Sequence, residues 1–275
     1  TDALTELDRS VKLGLVRVRW YPTPFRRGAK FLQELRLGDG VIDIEAGEGK
    51  ERVRVRIFVD AASPAVYVVG ESAVPIAVRA EYTTWRCAPR PAGSDSPLGA
   101  RSGCEIGETA DVVRNVGNRV LFYHRNGPDC VRAHAEQQGL VDVLDRIPNP
   151  LAHRTFGGMM SMAGAAAVGL GALEKTGAAG FELIVATHSA QEPSLAKWIR
   201  DLEEIHARLP DAQSALARTA AWWNEYWKRS WIYVDGDEPA PVAYDPKLAE
   251  FAAERFPEQP APPSVVDRKS TRLNS

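Results

Sequence analysis

The chain has 275 residues, of which 44% are hydrophobic, enough for one large domain or two small ones around a sizeable core. Its 34 basic and 36 acidic residues leave a formal net charge of -2 at pH 7, which gives no strong electrostatic reason to bind nucleic acid or an anionic membrane. No apolar run approaches the roughly 18 residues that a membrane-spanning helix needs. We therefore expect no nucleic-acid partner and no membrane partner.

The two ends of the sequence do not resemble natural ends. The first residue is Thr1 rather than Met, and a strand-like segment begins as early as Val11. Residues 267–275 correspond to the translation of a common sequencing adapter, so we expect an assembly scar there rather than selected protein. The alternative is a genuine polar, basic tail. In either case we expect these residues to carry no function.

Residues 11–86 show the alternation of apolar and polar residues that is typical of strands with one buried face. Between Arg52 and Ile57, three arginines fall on one face and three aliphatic residues on the other. This pattern predicts a half-solvated antiparallel sheet. The arginine stripe is compatible with phosphate binding, but cross-strand pairing with Asp43 and Glu45 explains it more simply.

Glycine-containing segments at 38–40 and 47–50 indicate the turns of a hairpin meander. Residues 89–103 are rich in Pro, Gly and Ser and are expected to form a long surface loop. An apolar strand is predicted at 118–123, and a helix over 131–147 that ends before the proline at position 148. Residues 181–187 form the last clear strand signal.

After this strand the hydrophobic period changes from two to about 3.6, which predicts helices. Asp211 is a plausible N-cap between the first helix and the second, and a short amphipathic helix is predicted at 246–256. The order of elements predicts a mainly β fold, an antiparallel β-sandwich followed by a helical connector. The stripe of the first helix is Leu195, Trp198, Leu202, Ile205 and Leu209, and that of the second is Leu216, Ala220, Trp223, Trp227 and Trp231.

The three cysteines, Cys87, Cys104 and Cys130, match neither a disulfide framework nor a zinc-site pattern. We expect ordinary thiols, although one pair could form a bridge if the protein is exported. No signal peptide decides this, so localisation stays open, with a periplasmic or extracellular parent protein as one alternative.

The sequence contains none of the standard motifs for phosphate loops, zinc proteases or serine hydrolases. The histidines are scattered, and none has a second histidine at i+3 or i+4 to share a metal. The two carboxyl groups that glycoside hydrolysis requires cannot be chosen from 36 acidic residues by spacing alone. We therefore predict no metal and no cofactor, and spacing alone assigns no catalytic residue.

Two polar clusters are candidate binding sites. His124, Arg125 and Asn126 lie at a predicted strand end, where rigid scaffolds often present binding groups, although a simple turn also explains them. His153 and Arg154 precede an aromatic residue and a glycine pair, which fits either a sugar site or packing between domains. These five residues are the predicted substrate-binding residues.

An aromatic segment near position 225 permits two interpretations. Indole rings stack on sugars, so the segment is compatible with a carbohydrate platform. Its helical spacing instead favours a helix buried against two partners, and we prefer a role as an interdomain linker. The residues assigned to this linker are Trp222, Trp223, Trp227 and Trp231.

Several segments together resemble a known bacterial family. They are residues 12–18 (KLGLVRV), 31–37 (FLQELRL), 121–126 (LFYHRN), 149–157 (NPLAHRTFG) and 222–234 (WWNEYWKRSWIYV). They resemble the N-terminal region of the DUF5703 proteins of the six-hairpin glycosidase superfamily, which are similar to the family 95 glycoside hydrolases. The resemblance covers nearly all of residues 1–234.

This resemblance implies a truncated β-supersandwich over residues 1–190 and a helical linker over 191–234. Residues 235–266 would then be a loop and a short helix at the start of a missing (α/α)6 barrel. The catalytic groups and the carbohydrate substrate would belong to that barrel, so the chain itself would be a non-catalytic part of a glycosidase. The alternative is a carbohydrate-binding or structural β-sandwich that has no enzymatic parent.

Overall fold

A computed structural model describes residues 3–6, 10–90, 107–146 and 148–230 of the chain. They form a mainly β structure within a compact unit of residues 1–229. The described helices are α1 (Val131–Gln137), α2 (Leu195–Ala207) and α3 (Ala212–Trp227). The described strands are β1 (Leu15–Tyr21), β2 (Phe31–Arg36), β3 (Val41–Ala46), β4 (Val53–Val59), β5 (Ala65–Thr83), β6 (Val112–Val116), β7 (Arg119–Arg125), β8 (Arg154–Met162), β9 (Ala166–Ala167) and β10 (Ala172–Gln191).

All strand pairs are antiparallel, in the order β2-β3-β4-β5-β10-β8-β7-β6, with β1 on β5 and β9 on β10. The rings of Tyr82 on β5 and Phe122 on β7 stack with centroids 3.8 Å apart, although β10 and β8 lie between these strands in the sheet order. The sheet therefore folds over, and its two layers face each other across one core. The predicted antiparallel β-sandwich is confirmed.

Strand β4 shows how the alternation in the sequence produces the two faces of the sheet. Val53 and Val55 point into the core between the layers, and the alternating Arg54 and Arg56 point outward. Arg54 lies 3.2 Å from Asp43 of β3, and Arg52 lies 3.0 Å from Glu45. Cross-strand pairing is thus confirmed as the explanation of the arginine stripe.

Helices α2 and α3 begin at side-chain caps. The hydroxyl of Ser194 accepts a hydrogen bond from the Lys197 N–H at 3.3 Å. The carboxylate of Asp211, the predicted N-cap, accepts one from the Ser214 N–H at 3.0 Å. Each cap satisfies a backbone donor that has no partner inside the helix.

The two helices cover the outer face of the sheet. Trp198 and Leu202 of α2 are completely buried against β7, β8 and β10, as the predicted stripe of α2 requires. Ala212 and Ala215 of α3 pack with Tyr67 of β5. Small side chains on this face of α3 let the helix approach the sheet closely.

Three predicted elements differ from the structure in their extent. The helix expected over 131–147 is two pieces, α1 and a 3-10 helix at Val141–Arg146, because Gly139 adopts a positive φ of 67° that ends the first piece. Strands β7 and β10 are longer than predicted. Most of the predicted loop at 89–103, the predicted helix at 246–256 and the proposed scar at 267–275 lie outside the described residues.

Cys87 is a free, exposed thiol, as expected, but Cys130 is disulfide-bonded. The expectation of ordinary thiols is therefore wrong for Cys130, and Cys104 lies outside the described residues. None of the helices in the described ranges combines the length and the hydropathy that crossing a bilayer requires.

Candidate functional site

His124 lies near the end of β7 with its imidazole between two carboxylates. Nδ1 is 2.8 Å from Asp111 Oδ1, and Nε2 is 3.1 Å from Glu6 Oε2. The side chains of His124 and Glu6 have no exposed surface, and that of Asp111 is 3% exposed. Because both ring nitrogens face acceptors, the ring binds best as the doubly protonated cation.

The electrostatics of this cluster favour its charged forms. Burial alone would lower the pKa of His124, but the hydrogen bonds to Asp111 and Glu6 outweigh it and raise the pKa to about 9. Burial would likewise raise the pKa of Glu6, but the hydrogen bonds from His124 and Thr109 lower it to about 2. Burial opposes ionisation of Asp111 too, yet its bonds to His124 and Arg86 lower its pKa.

Arg86 extends the cluster toward the N-terminal segment. Its Nε lies 2.7 Å from Asp111 Oδ1, and its two terminal nitrogens donate to the carbonyls of Lys12 and Leu13 at 2.9 and 3.2 Å. Two cations, His124 and Arg86, therefore balance two carboxylates in a buried site. This balance meets the condition under which buried charges are tolerated.

Glu6 attaches the start of the chain to the same cluster. Its Oε1 accepts hydrogen bonds from the backbone N–H of Thr109 at 3.1 Å and of Gly127 at 3.3 Å, and its carbonyl accepts from the Cys130 N–H at 3.1 Å. Both nitrogens of His124 and the side chain of Glu6 are thus engaged within the chain. The cluster holds segments together, and no ring nitrogen of His124 remains for a sugar hydroxyl.

Arg125 and Asn126 are also engaged within the chain. Arg125 donates to the Thr155 hydroxyl at 2.7 Å and to the Pro193 carbonyl at 2.8 Å. The Asn126 side-chain amide donates to the carbonyls of Leu4 and Leu151, both at 3.1 Å, and the residue is 5% exposed. Their predicted role in binding stays a prediction.

The structure brings the second predicted cluster beside the first. The Asn126 N–H donates to the Arg154 carbonyl at 2.9 Å, so His153 and Arg154 lie at the same end of the sheet. Arg154 donates from Nε to the Pro150 carbonyl at 2.7 Å. His153 is exposed and adopts a φ of 56°, a left-handed conformation that is uncommon outside glycine. Of the five predicted residues, His153 is the most accessible to a ligand.

The aromatic end of α3 lies against the turn between β2 and β3. A Cβ at Gly40 would meet the ring of Trp223 at 2.0 Å, so only glycine fits under this indole. The indole N–H of Trp227 donates to the Leu37 carbonyl at 2.7 Å. These contacts fix one side of the helix.

The other side of this helix end is open among the described residues. Trp222 is 49% exposed and stacks on Tyr226, with centroids 5.4 Å apart and planes at 12°. The expectation of burial on both sides therefore does not describe Trp222 in the described ranges. Trp231 lies outside the described residues, and the linker role of the four tryptophans stays a prediction.

A cleft of about 410 Å³ lies between the outer face of the sheet and the start of α3. Glu71, Glu182 and Asp211 supply carboxylates to it, beside the apolar Phe58 and Leu216. Glu71 pairs with Arg56 at 3.2 Å, and Asp211 also caps α3. In the part of the chain that the structure describes, no group of three or more His, Cys, Asp or Glu side chains is arranged to hold a metal ion.

Sequence reasoning missed Glu6, Asp111 and Arg86, the partners of His124. Glu6 is 118 positions from His124, and no local periodicity links residues so far apart. The alternation of β7 offered one signal: His124 shares its face with Phe122, which points into the core, so burial of a histidine there was predictable in principle.

The family model described as a domain of unknown function, DUF5703, in its N-terminal form, matches residues 1–232. Among solved structures, a protein described as a candidate kojibiose phosphorylase from the human microbiome shares 12% identity at a TM-score of 0.41. The match covers 75% of this chain and 24% of that one. A bacterial glucoamylase complexed with acarbose shares 9% identity at a TM-score of 0.35, over 78% of this chain and 31% of that one. The chain thus spans less than a third of either solved protein. No curated protein matches the sequence.

Proposed function

Since the chain belongs to the DUF5703 family, we propose that it is the non-catalytic N-terminal β-sandwich of a glycoside hydrolase. The parent would cleave glycosidic bonds of polysaccharides or oligosaccharides on a further domain. The resemblance to six-hairpin glycosidases and to family 95 describes that domain as an (α/α)6 barrel. The sandwich would support the barrel and shape the rim of its active site.

The observation that supports the non-catalytic role is the state of three carboxylates that are buried and held in ion pairs or hydrogen bonds. A glycosidase needs a carboxylic acid whose raised pKa keeps its proton for the leaving group. Burial would raise the pKa values of Glu6, Asp60 and Asp111, but bonds to His124, Arg218 and Arg86 lower all three. These carboxylates are held ionised in ion pairs, which suits a scaffold.

A second candidate function is carbohydrate binding without catalysis. It is favoured by the stacked pair Trp222 and Tyr226, which leaves Trp222 half exposed on the outer surface of α3. Aromatic faces of this kind stack on sugar rings through their apolar surfaces. With this function, the sandwich would attach a partner protein to a polysaccharide.

The experiment that tests the first function compares the product of the complete source gene with the present chain on a panel of aryl α- and β-glycosides. Hydrolysis by the complete product alone supports the proposal. Hydrolysis by this chain, abolished by substitution of one of its own acids, contradicts it. If neither protein hydrolyses any substrate, the glycosidase proposal fails.

The second function has its own assay. Retention of the chain on polysaccharide gels during affinity electrophoresis, lost in Trp222→Ala and kept in Trp85→Ala, would support carbohydrate binding. Trp85 is the matched control because it is also exposed, at 57%, and lies on another part of the chain. Equal mobility of all three proteins with and without polysaccharide would reject this second function.

A further inference from the structure

Strand β2 is an edge strand with unusual side chains for an open edge. It pairs with β3 on one side, and no other described residue pairs with it. All six of its residues are exposed, and Phe31, Leu32 and Leu35 expose 56%, 57% and 60% of their surface. Open edges are usually protected by charge, proline or a covering element, so an apolar edge indicates a strand that accepts a partner.

The hydrogen bonds to β3 show which backbone groups of β2 are free. The Gly47 N–H donates to the Lys30 carbonyl at 2.9 Å, and the register places Phe31 opposite Ala46. In an antiparallel ladder, residues alternate between bonding one neighbour and facing the other. The even-numbered residues therefore bond β3, and Phe31, Gln33 and Leu35 direct their N–H and C=O groups to the open edge.

We propose that β2 pairs antiparallel with β2 of a second copy of this chain, about a two-fold axis at Gln33. Gln33 then faces its own copy, and Phe31 of each chain faces Leu35 of the other, once on each side of the axis. The same free N–H and C=O groups meet in register, and the two sheets become one continuous sheet. A two-fold interface of this kind is self-complementary by symmetry.

The neighbouring registers are less favourable. An axis at Glu34 would place two carboxylates directly opposite each other, which is destabilising in a cross-strand pair. An axis at Leu32 would keep only residues 31–33 of β2 paired and would extend into the turn before the strand, where Gly28 has a φ of 85°. The axis at Gln33 pairs residues 31–35, all within the strand.

This register places like charges opposite each other at both ends of the paired segment, and nearby carboxylates of the same chain offset their repulsion. It places Lys30 of one chain opposite Arg36 of the other. Lys30 already lies 3.4 Å from Glu48, and Arg36 lies 3.0 Å from Asp43. Each cation therefore already lies beside a carboxylate of its own chain, although Asp43 is shared with Arg54 and Arg56.

The first test is sedimentation velocity of the chain across a range of micromolar concentrations. We expect a reversible monomer–dimer equilibrium. Leu35→Lys should raise the dissociation constant at least about tenfold, because it replaces both apolar cross-strand pairs at once. Gln33→Pro should also raise the dissociation constant, because it removes an N–H donor on the open edge. It leaves the backbone hydrogen bonds between β2 and β3 intact.

The matched control is Leu170→Lys, which changes another exposed leucine, 72% accessible, outside β2. It should leave the dissociation constant unchanged. A far-UV circular dichroism spectrum and a melting curve like those of the unchanged chain verify that each variant folds. A monomer at every concentration, or a dimer that Leu35→Lys and Gln33→Pro do not weaken, overturns the proposal.

The second test fixes the register by cross-linking in a Cys87→Ser background, which removes the free exposed thiol. Single cysteines are placed at Leu32, Gln33 and Glu34, and mild oxidation is followed by non-reducing electrophoresis. Only Gln33→Cys should give a covalent dimer efficiently, since facing Cα atoms on the axis lie about 5.5 Å apart, within disulfide range. Stronger linkage at Leu32 or Glu34 contradicts the register at Gln33.

Discussion

Two groups of ion pairs in this protein use the same chemistry, but the cations of one group are buried and those of the other reach solvent. In the buried cluster, the His124 and Glu6 side chains have no exposed surface. The second group, here called the ladder, consists of the ion pairs of Arg52, Arg54 and Arg56 with carboxylates on the outer face of the sheet. In this ladder, Arg54 is 37% exposed and Asp43 is 9% exposed. The buried cluster joins segments far apart in the sequence, whereas the ladder joins neighbouring strands that the sheet already holds in register.

The contrast separates charges that the fold needs for its stability from surface charges that contribute little to it. A buried charge that loses its partner keeps its full desolvation penalty, so removing one member is strongly destabilising. An exposed charge that loses its partner is solvated by water, so exposed pairs contribute little. The two groups should therefore respond very differently to substitution, pH and salt.

The largest effect is expected from His124→Leu. The substitution leaves Glu6 buried without its cation, so the free energy of unfolding should fall by about 3–5 kcal/mol. Urea denaturation followed by circular dichroism measures the change. His134→Leu is the matched control, since His134 lies partly exposed on α1 and should change stability by less than about 0.5 kcal/mol. Equal effects of the two substitutions would contradict a special role for the buried cluster.

The pH dependence of stability should show the same cluster. The pKa of His124 is raised from 6.5 to about 9, so its contribution is fully present below pH 6.5 and is lost as the pH rises through 9. The pKa of Glu6 is lowered from 4.5 to about 2, so its contribution is present above pH 4.5 and is lost as the pH falls toward 2. The loss of stability at alkaline pH (the alkaline limb) and the loss at acid pH (the acid limb) should each amount to roughly 3 kcal/mol. Both losses report the same buried cluster, so they are not summed as separate contributions.

Urea midpoints measured from acid to alkaline pH test this profile. In the unchanged chain, the cluster should contribute most between pH 4.5 and 6.5. In His124→Leu, the alkaline limb should flatten, because the group that loses its proton there has been removed. Parallel profiles for the two proteins would show that other groups govern the alkaline loss of stability.

The sequence predicts the ladder well and the buried cluster poorly, for a physical reason. The ladder follows from a period of two on adjacent hairpin strands, so alternation alone brings Arg54 and Arg56 near Asp43. The buried cluster depends on how the sheet folds over and on where the segment of residues 3–6 packs against it. Its contact between Glu6 and His124 spans 118 positions and leaves no periodic trace.

Local sequence patterns likewise predict the fold but not which parts of its surface are covered. The antiparallel sandwich and the caps of the helices follow from local patterns, and Asp211 caps α3 as predicted. The apolar stripe of α2 is also confirmed by the burial of Trp198 and Leu202. The exposure of Trp222 and of β2 does not follow, because a helical stripe or a strand pattern shows which residues are apolar but not what covers them.

The smallest effect is expected in the ladder, from Arg54→Ala. Asp43 keeps Arg36 at 3.0 Å and Arg56 at 3.8 Å, so its carboxylate remains paired after Arg54 is removed. The free energy of unfolding should fall by less than about 1 kcal/mol, and added salt should reduce the difference by screening the exposed charges. Urea denaturation at low and high salt, with Arg54→Ala compared with the unchanged chain, measures both quantities. A loss as large as that of His124→Leu, insensitive to salt, would mean that the ladder contributes as much stability as the buried cluster. Solvent exposure would then not explain how much each group of ion pairs stabilises the fold.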